Sequence, residues 1–252
     1  SYLYILTKPM RKAGLILAAT LLFPLLAFSQ LTVTVDSTAN TLAQALMGNG
    51  VTVSNASVTC NGVALGTFSY SGATLGVTSG IVLTTGHAVD AAGPTTIYSQ
   101  TAPATFTNVT DPDLAAITSG TINDVCYVTF DFVPLCNQVS ITYEFGSAEY
   151  DGFQCSTYND AFGIFLSGPN PGGGSYTSVD IATLPSGTAV SIGNVNNGGG
   201  SCLGTNNPSY YVDNSLGTDV SYYGLTTAIT SVKAVVPCST YHMKIAICDV
   251  GD

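Results

Sequence analysis

Cations are scarce in this sequence: five Lys and Arg stand against fifteen Asp and Glu in 252 residues. The scarcity deepens along the chain. Lys8, Arg11 and Lys12 fall in the first dozen residues, and only Lys233 and Lys244 come later. Past residue 29, two Lys against fifteen acids leave a net charge of −13. Such a surface repels nucleic acid and anionic lipid, which excludes nucleic-acid binding as a reading. Histidine occurs twice, as His87 and His242, and no Cys-x-x-Cys pair is present. A zinc ribbon and a thioredoxin-like motif are thereby excluded. A Gly-x-Ser-x-Gly elbow is missing as well, so serine-hydrolase chemistry lacks its frame. There is no repeat at the 20–50 residue period of solenoids or propellers. The later chain also lacks an apolar run of the ~20 residues that a membrane span needs.

What is present begins with an export signal. Met10, Arg11 and Lys12 precede the apolar run Gly14 to Phe23, and Ala27-Phe28-Ser29 follows Pro24. A cationic start, a short apolar stretch and small residues at −3 and −1 form a secretory signal peptide. Residues 1–29 are read as that signal, with cleavage before Gln30; residues 1–9 precede the only early Met and read as upstream sequence. The domain then runs over residues 30–252. It stops at Val250-Gly251-Asp252 in what reads as a strand-to-turn transition, so the chain is expected to continue. Behind a signal peptide the seven cysteines are expected to form disulfides, with one thiol left over. Cys155 and Cys202 lie in polar loops and are paired first. Cys136 and Cys238 each follow a Val-Pro strand ending and form the second expected pair. Cys60, Cys126 and Cys248 compete for a third.

Period-two alternation predicts strands at Leu31–Val35, around Val128–Phe132, at Val139–Phe145 and at Tyr241–Cys248. Ala161 to Leu166 is apolar throughout, as expected for a strand covered on both faces. Further strands are expected at Val51–Val53, Ser57–Cys60, Gly66–Phe68, Gly80–Thr85, Val179–Leu184, Ala189–Val195 and Ser231–Val236. One short helix is expected over Thr41–Met47, capped by Asp36 or Ser37 and ended by Gly48 and Gly50. Asp111-Pro112 announces a second, with Asp as cap and Pro at the first helical position. Gly86–Thr110 reads as a long loop. At least ten short strands with glycine turns predict an all-β, β-sandwich or jelly-roll-like fold with one or two short helices and long loops.

Five segments carry a resemblance. They are Gly66-Thr67-Phe68 with Leu75 to Gly86; Phe130-Asp131-Phe132-Val133-Pro134; Tyr143 to Tyr150; Asn159 to Leu166; and Ile245 to Asp252. Together and in this order they resemble the choice-of-anchor L domain, found on large exported proteins of Bacteroidetes and other bacteria. The resemblance implies a module of a larger secreted or surface protein, without an established enzymatic activity. The family pattern continues past the last Gly-Asp into one more strand, which is lacking here.

The acidic residues near these segments are the candidate site. Calcium takes six to eight oxygen ligands. Loops at one end of a jelly roll would gather Glu149, Asp151, Asn159, Asp160, Asp249 and Asp252 for it. The competing reading is turn chemistry, since Asn-Asp and Gly-Asp are common where strands bend. Glu144 and Glu149, the only glutamates, are the candidate pair for a glycosidase if they face one cleft. Tyr210-Tyr211 and Tyr222-Tyr223 are candidates for stacking on sugar rings, against ordinary packing in the core. His242 is expected on the solvent side of its strand and His87 in a loop. Three functions follow in order of preference: a non-catalytic extracellular interaction or adhesion module, calcium-stabilised; a carbohydrate-binding module; a secreted glycoside hydrolase. The expected partner is an extracellular protein or glycan, with the chain covalently part of a larger surface protein.

Overall fold

The computed structural model describes residues 30–47, 51–95 and 109–251. The expected signal peptide (residues 1–29), Gly48, Gly50 and Asp252 lie outside them. In chain order the elements are β1 (Leu31–Val35), α1 (Ala39–Leu46), β2 (Thr52–Thr59), β3 (Leu65–Tyr70), β4 (Ser79–Leu83), α2 (Pro112–Ile117), β5 (Ile122–Val133), β6 (Gln138–Tyr143) and β7 (Gly146–Ser147). There follow β8 (Ala161–Pro169), β9 (Ser175–Asp180), β10 (Tyr211–Asp213), β11 (Gly224–Thr226), β12 (Ile229–Ala234) and β13 (Tyr241–Val250). The fold is all-β, as expected, with every strand pairing antiparallel.

A five-stranded sheet in the order β2-β5-β13-β8-β9 is the centre. A two-stranded ribbon, β12-β6, and the sheets β1-β3-β4 and β10-β11-β7 lie around it. The main core lies between the five-stranded sheet and the ribbon. It joins Val128, Phe130 and Phe132 of β5, Ile164 and Leu166 of β8, and Tyr241, Met243 and Ile245 of β13 to Tyr143 and Ile229 of the ribbon. Leu42 of α1 and Leu65 of β3 close it on one side. Burial of such apolar area is the main favourable term in folding.

The alternation in β13 explains how one strand serves two layers. Tyr241, Met243 and Ile245 face the main core, whereas Ala246, Cys248 and Val250 join a second cluster with Leu114 of α2 and Phe165 of β8. Helix α2 therefore covers the outer face of the sheet. Asp111 caps it as its sequence announced, accepting from the N–H groups of Asp113 and Leu114 at 3.0 Å each. The same carboxylate takes Lys244 Nζ at 2.9 and 2.8 Å, and Asp113 Oδ2 is a third partner of that ammonium. Tyr127 and Phe165 flank Nζ with ring centroids 5.6 and 5.1 Å away.

Three expected elements differ. The runs at 51–53 and 57–60 are one strand, β2, carrying a bulge at Asn55, whose φ is +51°. The expected strand at 179–184 ends by Asp180, and β9 starts earlier, at Ser175. Ala189–Val195 is not a strand. Asn194 Nδ2 donates to Ala189 O and Asn196 Nδ2 to Ile192 O, both at 2.9 Å, so side chains take carbonyls that a ladder would have used. Val190, Ile192 and Val195 still reach the main core.

Candidate functional site

The expected site residues gather at the end of the sheet where β13 finishes and β8 begins. There the chain between β7 and β8 turns repeatedly: Phe153 N donates to Glu149 O and Ser156 N to Phe153 O, both at 3.0 Å. Asp151 and Cys155 take left-handed backbone, with φ of +67° and +61°. Against this segment lies the Gly/Asn-rich chain around residues 193–207. The Cys155–Cys202 disulfide joins the two, with Cα atoms 5.0 Å apart, in the pairing the sequence suggested. Gln154 is wholly buried beside it and donates from Nε2 to Gly198 O at 2.8 Å, while Ser201 N donates to Gln154 O at 3.0 Å.

Asparagine side chains do the rest of the fastening. Asn196 is fully buried, and its Oδ1 accepts from Gly198 N at 3.0 Å and Asn206 N at 3.3 Å. Asn206 Nδ2 donates to Gly193 O and Asn207 Nδ2 to Asn194 O, both at 2.8 Å. Gly200 has φ +54°, and a Cβ there would lie 2.8 Å from Gln154 O, so glycine is required. This Gly/Asn-rich segment is thus a stitched platform. The density of Asn among the glycines was the readable signal, because Asn both tolerates tight turns and bonds nearby backbone. Leu203 stands fully exposed beside Cys202, and Phe153 is 37% exposed with its ring 5.6 Å from that of Tyr158.

The described members of the candidate calcium set, Glu149, Asp151, Asn159, Asp160 and Asp249, are brought to this end. Asp160 Oδ1 accepts from Val250 N at 3.2 Å, and Ser147 Oγ donates to Asp160 Oδ2 at 3.5 Å. Asn159 Oδ1 accepts from Gly193 N at 3.1 Å. Glu149 N donates to Ser147 Oγ at 3.1 Å, Asp151 is exposed, and Asp249 pairs with Asn123 across a bulge in β13. Among the described residues no three His, Cys, Asp or Glu side chains are grouped to hold a metal ion. One oxygen of Asn159 and the carboxylate of Asp160 are engaged in fixing loops.

Glu144 lies elsewhere. It lines an apolar cavity of about 330 Å³ between the β1-β3-β4 sheet and strands β6, β8 and β13, among Phe68, Ile81, Ile141, Phe162 and Leu225. Burial pushes its carboxyl up from the usual range, opposed by the backbone N–H groups of Gly76 and Val77. Glu149 is not part of that lining. The four candidate tyrosines are half-buried. Tyr210, Tyr211 and Tyr223 pack on the main core and Tyr222 on a third cluster with Leu31, Tyr70 and Leu225. Tyr211 sits 5.1 Å from the Tyr150 ring, and burial first, then neighbouring carboxylates, pushes its hydroxyl up to about 12. These half-buried rings contribute to packing. His242 is on the solvent side, with Nδ1 2.7 Å from Asp131 Oδ1.

The remaining sulfurs divide as follows. Cys60 pairs with Cys126, with Cα atoms 4.2 Å apart, because antiparallel β2 and β5 set the two side by side where Thr59 faces Tyr127. Cys248, the third contender for that bridge, is a buried thiol in the second cluster. Cys136 and Cys238, expected as a pair, are free, exposed thiols in this structure. No described helix is long and apolar enough to cross a membrane. No curated protein and no solved structure matches this chain. The family model of the choice-of-anchor L domain matches residues 32–252, nearly the entire length. The chain belongs to the choice-of-anchor L domain family, whose members are extracellular, surface-associated modules.

Proposed function

We propose that this domain is a non-catalytic interaction module of an exported protein, making adhesive contact through the platform fastened by Cys155–Cys202. The observation that carries the reading is Leu203: a fully exposed large apolar side chain next to a disulfide-fixed loop residue. Apolar side chains on mobile loops lose entropy on binding, and a loop already fixed loses less. Few cations on the chain favour a partner that is not itself acidic. An extracellular protein or a neutral glycan has that chemistry. Export and covalent membership in a larger surface protein complete the reading. Carbohydrate stacking and hydrolysis have less support, since the tyrosines are packed and Glu144 and Glu149 do not share the cavity.

The test is binding of the purified domain to panels of matrix proteins, neutral polysaccharides and intact cells. Retention by at least one surface is expected, and Leu203→Asp is expected to lower it at least tenfold without changing thermal stability. Retention by none of them, or equal retention of Leu203→Asp, would defeat the proposal.

A further inference from the structure

Cys136 and Cys238 are separated by about a hundred residues of sequence but occupy adjacent turns. Cys136 is in the connection from β5 to β6, and Cys238 in the connection from β12 to β13. Both connections cross between the five-stranded sheet and the ribbon at the same end. Phe132 of β5 faces Tyr241 of β13, and Gln138 of β6 faces Ala234 of β12. Two backbone hydrogen bonds then tie turn to turn: Cys238 N donates to Pro134 O at 2.8 Å, and Val235 N to Asn137 O at 2.9 Å. Cys136 lies between Pro134 and Asn137, so it sits inside the frame those bonds close.

The backbone at Cys238 adds a second observation. Ser239 N donates to Val236 O, closing a turn with Pro237 and Cys238 at its centre, and Cys238 has φ +60°. Proline followed by a left-handed residue is the pattern of a type II turn, whose third position favours glycine or asparagine. Among the described residues one other cysteine has positive φ, Cys155, and it is disulfide-bonded. A cysteine side chain stands where glycine would be easier, and both thiols are exposed.

We infer that Cys136 and Cys238 are the redox-active pair of the exported domain, closing into a third, solvent-accessible disulfide by exchange with an external disulfide. The thiolate of one cysteine attacks a sulfur of the external disulfide, releasing one thiol and leaving a mixed disulfide. The thiolate of the other attacks the protein sulfur of that mixed bond, releasing the second thiol. Two protein thiols are oxidised to one S–S bond, one external disulfide is reduced to two thiols, and the two protein protons pass to them. The bond would lock both crossings between sheet and ribbon at the end opposite the platform. It also accounts for the odd cysteine, since Cys248, buried beneath α2, is then the single thiol left over. Burial pushes that thiol up, which keeps it out of exchange.

The experiment treats the purified domain with oxidised glutathione, alkylates it without denaturant, and reads intact mass and peptic peptides. The expected result is no alkylation, no retained glutathione, and a peptide pair joined through Cys136 and Cys238. Brief mild reduction should then expose these two sulfurs to alkylation before any of Cys60, Cys126, Cys155 or Cys202. Cys238→Gly suits the turn and removes the partner, so it should fold and keep one glutathione at Cys136. Alkylation of both thiols after oxidation, glutathione retained on both, or a bond between two chains would overturn the inference. So would Cys136 in Cys238→Gly failing to take up glutathione.

Discussion

The two faces of β13 are held by different physics within one strand. Toward the main core, Tyr241, Met243 and Ile245 are buried against Phe130, Phe132 and Leu166. Nothing there depends on charge. On the other face the strand passes from exposed His242 through Lys244 to Ala246 and Cys248, both fully buried. Here an ammonium, 12% exposed, is held by Asp111 and Asp113 under a short helix. The inner face gains from non-directional removal of apolar area from water. The outer face depends on geometry, because a charge taken from water is tolerated only when its partners are placed to meet it. The helix that supplies those partners is also the helix that Asp111 caps, so helix and ion cluster stand or fall together.

That contrast is open to direct attack, beginning with the largest effect. Phe130→Ala empties a fully buried site on the inner face, and a loss of about 3–5 kcal/mol is expected. Urea titrations at several salt concentrations should give the same loss, since no charge is involved. Lys244→Met leaves two carboxylates facing each other. About 2–4 kcal/mol is expected, less than for a fully enclosed pair because Asp113 is a quarter exposed. Its signature is in the pH profile. Burial raises the Asp113 carboxyl, but hydrogen bonds from Lys244 and Ser178 and the Lys244 charge outweigh this and hold it below its usual range. Burial lowers the Lys244 ammonium, and the bonds and charges of Asp111 and Asp113 outweigh that and hold it above its own. The cluster therefore stabilises at neutral pH. Its contribution is lost as pH falls through the depressed Asp113 value and as pH rises through the elevated Lys244 value. Lys244→Met should flatten both limbs, and a profile parallel to the wild type would refute the assignment. The smallest effect belongs to His242→Ala. Its pair with Asp131 is half exposed, so less than about 1 kcal/mol is expected, further diminished by salt.

Legibility followed locality. Asp111-Pro112 announced α2 because capping is settled within four residues, and the Asp111 side chain does bond the N–H groups of residues 113 and 114. The run Ala161–Leu166 announced a strand covered on both sides, and Ile164 and Phe165 are indeed buried in opposite clusters. Cys155–Cys202 was readable because both cysteines stood in polar loops. Ala189–Val195 was misread because apolar spacing cannot show that Asn194 and Asn196 will take its carbonyls. The second role of Asp111, as partner to a lysine 133 residues away, had no local trace. The acidic candidates for calcium were legible as a group, yet which oxygens remain available depends on loop hydrogen bonds such as Asn159 to Gly193 N.

By itself the sequence determined an all-β chain of short strands, two short helices of which Asp111 caps the second, a surface poor in cations and a family membership, because alternation, turn residues and charge act over a few neighbours. Only the tertiary structure decided that Lys244 would be enclosed by α2, that the asparagine-rich loop would be a platform, and which cysteines would lie side by side. Those outcomes need residues far apart in the chain to meet, and their free energies arise only once the sheets have packed.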